Sequence, residues 1–258
     1  MSFWYGYQAP VSHSMDLPLR EARDISTPLK AGEFLRGATI ITVICTGLWI
    51  DQIFLAHGQL MVNVAVWLLF VAWLWREHER ARSALVACLV YATIGEIFLS
   101  LIWGLYDYRL ANVPLFVPPG HVLLFMLGGL LAARAAKWIV WAVPVAAAPF
   151  VLFLAITGAD TLGLALYSIF LACMALGRAK KLYAVMFVLA LAMELYGTWL
   201  GNWTWSAAVP WLGLSALNPP LAAGAFYCVL DLLVVATVAR MSRRAPAAST
   251  PPEYASTA

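Results

Sequence analysis

The chain has 258 residues, of which 63% are hydrophobic and 11% are charged, and its formal net charge is +3. A soluble domain is about 45–50% apolar and about 25% charged, so this composition excludes a soluble globular protein. The sequence has no glycine-rich phosphate loop and no nucleic-acid-binding motif, and we expect no nucleic-acid partner. The composition indicates an integral membrane protein.

Apolar runs close to the ~20 residues that a spanning helix needs recur along the chain, and the period-2 alternation of a membrane barrel is missing. The sequence therefore predicts an all-α polytopic membrane protein. We predict eight spans, at roughly 36–56, 59–75, 84–106, 121–136, 138–157, 161–176, 182–200 and 221–240. They divide the chain into an N-terminal segment over 1–35, a membrane domain over 36–240 and a disordered tail over 241–258 that is rich in Pro, Ala, Ser and Thr.

The positive charges predict how the chain is oriented, because Lys and Arg collect on the cytoplasmic side of membrane proteins. With the N-terminus inside, eight spans place every Lys and Arg on that side except Arg109. We therefore expect both termini to be cytoplasmic, in a bacterial inner membrane. The opening residues lack the basic region and the apolar core of a cleavable signal peptide, so we expect none.

Two stretches of the sequence are similar to each other, one from Glu96 to His121 and one from Glu194 to Pro220. Each has an acid in an apolar run, followed by a glycine, two aromatic residues, a Val-Pro and a Pro-Pro in the same order. The offset is 98 positions for the acids and 97 for the glycines, Gly104 and Gly201. This spacing predicts a duplicated four-helix unit, with parallel halves over about 36–136 and 138–240 and both motifs outside. Coincidence stays open, since membrane interfaces attract Trp, Tyr and Pro anyway.

Acids within the spans are the candidate catalytic groups: Glu96, Glu194 and Asp231. A charged side chain at the bilayer centre costs about 2.5–3.5 kcal/mol on insertion scales, so such acids usually face the bundle interior and mark functional sites. Without a nearby cation, desolvation favours the protonated form, which can serve as a general acid. The alternative is that these acids are hydrogen-bonded packing groups. We expect Asp51, close to the outer interface, to be hydrated.

Aromatic side chains and one histidine cluster around the acids in the two motifs, and we predict that they bind the substrate: Trp103, Tyr106, Tyr108, His121, Trp199, Trp203 and Trp205. Ring faces attract positive charge and would stabilise a carbocation. An interfacial aromatic belt is the alternative interpretation. No H-x-x-x-H or E-x-x-H spacing presents two metal ligands on one helical face, and we expect neither a metal nor a cofactor.

The first motif has its residues in a distinctive order: Glu96, Gly104-x-Tyr106-x-Tyr108, Val113-Pro114-Leu115 and Val117-Pro118. Over residues 92–125 this order resembles the signature of the CruF-type family of carotenoid-biosynthesis membrane proteins, which include carotenoid 1,2-hydratases. The resemblance implies cofactor-free addition of water to the terminal isoprenoid double bond of an acyclic carotenoid. An acid would protonate the alkene, and water would capture the tertiary cation.

Three hypotheses follow for the function. The first is a membrane enzyme that acts on a carotenoid or polyisoprenoid lipid, with Glu96 as proton donor and Glu194 or Asp231 as its partner. A membrane terpene cyclase is a variant of it. The second is a small proton-coupled transporter, and the third is a structural subunit of a membrane complex. Membrane lipids and a lipid-soluble isoprenoid are the expected partners, and the oligomeric state stays open.

Overall fold

The computed structural model describes residues 31–244. Nearly all of the predicted N-terminal segment, and the tail beyond position 244, lie outside the described residues. The elements in chain order are α1 (Ala31–Ile53), α2 (Leu55–Arg76), α3 (Glu79–Glu96), a π-helical segment (Ile97–Ile102), β1 (Tyr106–Tyr108), α4 (Val117–Arg134), α5 (Ile139–Ile156), α6 (Thr161–Leu176), α7 (Lys180–Leu200), β2 (Trp203–Trp205) and α8 (Gly224–Arg244).

This architecture confirms the predicted all-α polytopic fold. Seven of the helices between positions 31 and 244 are long and apolar enough to cross a membrane, and α6, with 16 residues, is shorter. An α-helix rises about 1.5 Å per residue, so α6 is about 24 Å long, somewhat less than the ~30 Å hydrocarbon core of a bilayer. The predicted membrane side of each helix end, and the predicted division into domains, stay predictions.

Of the two motif helices, α3 ends earlier than its predicted span 84–106, whereas α7 ends at residue 200, as the span 182–200 predicted. Helix α3 stops at Glu96 and passes into the π-helical segment, and the chain then leaves the helix at Gly104, whose φ is +68°. Helix α7 ends at Gly201, with a φ of +80°. Glycine adopts this left-handed conformation without the steric cost that a Cβ brings. In both motifs the chain therefore reverses at a glycine two residues before a short strand.

Four helices form the centre of the molecule. Helix α3 packs on α4 and α8, and α7 packs on the same two helices. The α1–α2 hairpin lies against α4, with α1 also contacting α7, and α5 and α6 lie against α7 and α8. A Cβ at Gly224 would lie 2.2 Å from the carbonyl oxygen of Phe187, so this glycine allows the α8 backbone to approach α7 closely. The central helices α3 and α7 carry the two motif acids.

The strands β1 and β2 pair antiparallel at one end of the bundle. Tyr106 lies opposite Trp205, Tyr108 opposite Trp203, and Asp107 opposite Thr204 at the centre. Exchanging the two motifs leaves this register unchanged, as a duplicated unit requires, although the duplication itself stays a prediction. The pairing brings both motif loops to the same end of the molecule. Strands of three residues are too short to give a period-2 signal in the sequence.

Candidate functional site

The strands bring four aromatic rings onto one face. Successive side chains of a strand point to opposite sides, so Tyr106 and Tyr108 are buried while Asp107 between them is exposed. The same alternation buries Trp203 and Trp205. The buried face of this two-stranded sheet lies against the ends of α3 and α7, where the two glutamates are.

Glu96 accepts hydrogen bonds from both strand tyrosines. The hydroxyls of Tyr106 and Tyr108 donate to its Oε2 atom over 2.9 and 2.7 Å. Its other oxygen, Oε1, lies 3.3 Å from Nε2 of His121, which is in the first turns of α4. Glu96 is only 5% exposed, so these three groups form most of its polar environment.

Glu194 has the corresponding environment in the second motif. The indole nitrogens of Trp203 and Trp205 donate to its Oε2 atom over 2.8 and 3.1 Å. The Tyr227 hydroxyl, from the first turn of α8, donates to Oε1 over 3.1 Å. Each acid therefore binds two aromatic donors from a strand and one ring from the helix that follows.

His121 and Tyr227 connect the two acids. Their rings are stacked, with centroids 4.9 Å apart and planes inclined by 6°. The Nδ1 atom of His121 lies 3.0 Å from the carbonyl oxygen of Val117. Because a carbonyl can only accept a hydrogen bond, Nδ1 carries the hydrogen, and Nε2 of the neutral ring turns its lone pair toward Glu96.

The buried tyrosines of β1 serve as donors rather than as bases. They lie between the spans, where burial raises the pKa of both hydroxyls well above the usual value, and the adjacent Glu96 raises it further. Both hydroxyls therefore remain protonated throughout the physiological pH range. Their hydrogens are available to the Glu96 carboxyl group at all times.

A single cavity of about 130 Å³ lies between the two acids. A dry apolar cavity of about 150 Å³ is large enough to bind benzene, so this space admits a group of about that size. Helices α5 and α6 contribute nothing to its wall. Besides the two acids and the aromatic residues of the strands, the wall includes Val43, Ile44, Gly47, Leu48, Val62, Val66, Leu99, Phe116, Leu123, Met193, Phe226 and Leu230.

Five of the seven predicted binding residues line this cavity, and Trp103 and Trp199 do not. The indole of Trp103 stacks on Trp211, with centroids 6.0 Å apart, and donates to the carbonyl oxygen of Pro210 over 2.8 Å. Trp199 is 78% exposed. Both face away from the cavity, because the chain turns at a glycine between each of them and its strand. The predicted span 84–106 ran through the first of these turns.

Asp231 is separated from the two glutamates. It is fully buried on α8, does not line the cavity, and neither of its oxygens has a hydrogen-bond partner within residues 31–244. The prediction that placed it beside Glu96 and Glu194 as a third site acid is therefore wrong about its location. The sequence predicts that Asp231 lies near the middle of a span, but it does not predict which face of the helix carries this residue.

Asp51 is buried, so the prediction that it is hydrated at the interface is wrong. It is 2% exposed, its Oδ2 atom accepts a hydrogen bond from the Asn202 amide over 2.8 Å, and its Oδ1 atom lies 3.5 Å from Nη2 of Arg109. This cluster joins the end of α1 to the residue that follows β1 and the residue that precedes β2. Its partners come from positions 109 and 202, which no local pattern links to position 51.

Tyr227 is the site residue that sequence reasoning missed. A weak signal for it existed, because His121 and Tyr227 each follow a Pro-Pro pair, by two and by seven residues. The longer segment between the second pair and α8 obscured this correspondence.

Within the described residues, no group of three or more His, Cys, Asp and Glu side chains is arranged to hold a metal ion.

The fold and the site together define a class: a polytopic, all-α membrane protein whose central helices hold two buried carboxyl groups at one small, largely apolar cavity. Comparison of the chain with protein-family models, with curated proteins and with solved structures found no match.

Proposed function

We propose that this protein is a membrane enzyme that acts by acid–base chemistry on the end of a carotenoid or other isoprenoid chain. The observation that carries the proposal is the pair Glu96 and Glu194, both buried and both lining one cavity whose remaining wall is mainly apolar and aromatic. Buried acids without a structural cation are typical of functional sites in membranes. An apolar wall fits an isoprenoid end better than it fits a polar solute.

The reaction that this cavity supports best is hydration of a terminal double bond. The Glu96 carboxyl group donates its proton to the inner CH carbon of the terminal double bond, the π electrons form the new C–H bond, and a tertiary carbocation remains on the dimethyl-bearing end carbon. The oxygen of a water molecule then forms the C–O bond, and the surplus proton of that oxygen passes to a base in the cavity. The net reaction is alkene plus water to alcohol, so no cofactor is consumed.

A negative charge and the aromatic rings around the cavity would lower the energy of the cationic intermediate. Glu194, which lines the same cavity, would supply a negative charge as a carboxylate, and aromatic faces attract positive charge. A cyclase would use the same cation but would have to fold a longer piece of chain inside the site. A cavity of about 130 Å³ has room for one isoprene end, which is all that hydration requires.

The test is conversion of lycopene, an acyclic carotenoid with two terminal isoprene units, by cells that produce the full-length protein. We expect a product heavier by one water with the wild type, and at least ~100-fold less of it with Glu96→Gln, since general acids contribute about 10²–10⁴-fold. Asp107→Asn is the matched control, because Asp107 lies on the exposed face of the same sheet. Full conversion by Glu96→Gln, or an unchanged carotenoid with the wild type, would contradict the proposal.

A proton-coupled carrier is the second candidate, and one observation favours it. Asp231 is a fully buried acid in a span with no hydrogen-bond partner among residues 31–244, as in the proton pathways of carriers. The same assay separates the two candidates. A carrier leaves the mass of the isoprenoid unchanged in every variant, and Asp231→Asn would then abolish the uptake of a solute into reconstituted vesicles.

A further inference from the structure

The two cavity acids differ in the chemistry of their hydrogen-bond partners. Oε2 of Glu194 accepts from the indole nitrogens of Trp203 and Trp205. An indole N–H can donate but never accept, so both bonds require lone pairs on this oxygen. A proton on Oε2 would displace one of the indoles, whose rings are buried.

The second oxygen of Glu194 is also a poor place for a proton. Oε1 accepts from the hydroxyl of Tyr227, and Glu194 is the only hydrogen-bond partner of that hydroxyl within residues 31–244. If Oε1 were protonated, the hydroxyl would have to turn and accept, and its own hydrogen would have no acceptor. Both oxygens of Glu194 are therefore arranged for the carboxylate form.

Glu96 can hold a proton without losing a hydrogen bond. Its two tyrosine donors both use Oε2, which leaves Oε1 free to face Nε2 of His121 over 3.3 Å. A proton on Oε1 donates to the lone pair of Nε2. A proton on Nε2 makes an imidazolium that donates to the carboxylate, through the same contact. The contact therefore accommodates one proton on either of the two atoms.

We infer that the exchangeable proton of the cavity belongs to the Glu96–His121 pair and that the three donors to Glu194 favour its carboxylate form. The two acids thus have separate roles in a site where the two motifs otherwise correspond. The ring of Tyr227 contributes to this division, because it stacks on His121 while its hydroxyl binds Glu194. A protonated imidazole on that ring face gains a cation–π contact.

Under the proposed function, on which this step alone rests, His121 regenerates the acid. After Glu96 has given its proton to the alkene carbon, water adds to the cation, and the surplus proton passes from the new oxygen to Nε2 of His121. It then moves from Nε2 to Oε1 of Glu96, so each turnover leaves the pair with the proton it began with. His121 is therefore a positioning and proton-return residue, and Glu96 is the group that meets the substrate.

Infrared difference spectroscopy of the purified full-length protein, in water and in deuterated water, tests the proton assignment without any substrate. We expect a band of a protonated carboxyl group that Glu96→Gln removes and Glu194→Gln retains. His121→Gln should change the pH at which this band disappears, whereas His57→Gln, an exposed histidine outside the cavity, should not. The other titratable groups that line the cavity are Tyr91, Tyr106, Tyr108, Glu194 and Tyr227.

Loss of the band in Glu194→Gln instead of Glu96→Gln would overturn the inference. It would also be overturned if His121→Gln left the pH at which the band disappears unchanged. The lycopene assay gives the second readout: His121→Gln should lower conversion at least ~10-fold and His57→Gln should not, in line with the 10²–10⁴-fold effect of general acid–base groups. If lycopene is not converted by the wild type, the proposed function fails while the infrared result still decides where the proton resides.

Discussion

At the residue scale, the position of the Trp203 ring depends on a glycine one turn away from Glu194. A Cβ at Gly197 would lie 2.0 Å from Cη2 of Trp203, and its two next-nearest atoms belong to the same ring. The indole therefore lies directly across the surface of α7 at this glycine. This close approach is what brings Nε1 within 2.8 Å of Glu194.

We predict that Gly197→Ala disrupts the site. The rigid ring has to move away from the helix, which breaks its hydrogen bond to Glu194, and overpacking in a core costs about 1–3 kcal/mol of unfolding free energy. Thermal unfolding should show the lower stability, and the lycopene assay should show reduced conversion. Gly37→Ala in α1 is the control, because its Cβ would meet only Leu127 Cδ1 at 3.8 Å. A melting temperature for Gly197→Ala at or above that of Gly37→Ala would contradict this account.

The sequence predicted which acids belong to the site better than it predicted the directions of the surrounding side chains. The acids Glu96 and Glu194 could be identified from the sequence because burying a carboxyl group in the membrane costs free energy, so such acids usually have a functional or structural role. Trp103 and Trp199 were misplaced and Tyr227 was missed, because the direction of a ring depends on where the chain turns. Asp51 was misread since its partners are distant in sequence.

At the scale of elements, the helices were predictable and the strands were not. Eight apolar runs of helical length correspond to the eight α-helices in residues 31–244. The bounds of α6 and the end of α7 agree with the prediction, and most other ends differ by one to five residues. Helix α8 continues to Arg244, four residues into the predicted tail. The strands β1 and β2 exist because each finds the other across the bundle. The paired residues are far apart in the sequence, so no local stretch of the chain predicts the pairing.

One side chain fixes how α6 begins and where the second motif loop ends. Asp160, which is 1% exposed, accepts a hydrogen bond from the Gly163 amide on Oδ1 and another from the Leu221 amide on Oδ2, each over 2.8 Å. The first bond is an N-cap, and the second holds the chain that leads into α8. This aspartate therefore links α6 to the segment that positions Tyr227.

We predict that Asp160→Ala destabilises the fold more than Asp160→Ser. Alanine loses both bonds, whereas serine keeps a side-chain oxygen for the cap, and the loss of an N-cap costs about 0.5–2 kcal/mol of unfolding free energy. Thermal unfolding of the two variants in the same detergent gives the comparison. Equal melting temperatures would mean that the cap contributes nothing, and the bond to Leu221 would then account for the whole effect.

At the scale of the whole molecule, the structure fixes which helix ends lie together. The paired strands put the ends of α3 and α7 side by side. The start of α6 lies at that end too, since the amide of Leu162 donates to the carbonyl oxygen of Ser215 in the second motif loop, over 2.9 Å. Helix α6 therefore runs from the motif end toward the start of α7 at the opposite end, despite its short length.

Because the motif loops lie at one end of the bundle, the predicted orientation of the protein in the membrane can be tested by labelling each end. The cationic residues Arg76, Arg134 and Lys180 lie at helix ends opposite the motifs, so the positive-inside rule predicts that the motif end is outside. Single cysteines can report each end, in a full-length background with Cys45→Ser, because Cys45 is the one exposed native cysteine within residues 31–244. The reporters Leu110→Cys and Ala207→Cys follow the two strands, and His78→Cys precedes α3; all three positions are exposed.

We expect a membrane-impermeant maleimide to label Leu110→Cys and Ala207→Cys in intact cells, and to label His78→Cys only after the membrane is permeabilised. Labelling of His78→Cys alone in intact cells would reverse the orientation and put the cavity end in the cytoplasm. Labelling of the two motif positions from opposite sides would contradict the strand pairing itself. In that case the two carboxyl groups could not share a cavity, and the proposed site would be lost along with the orientation.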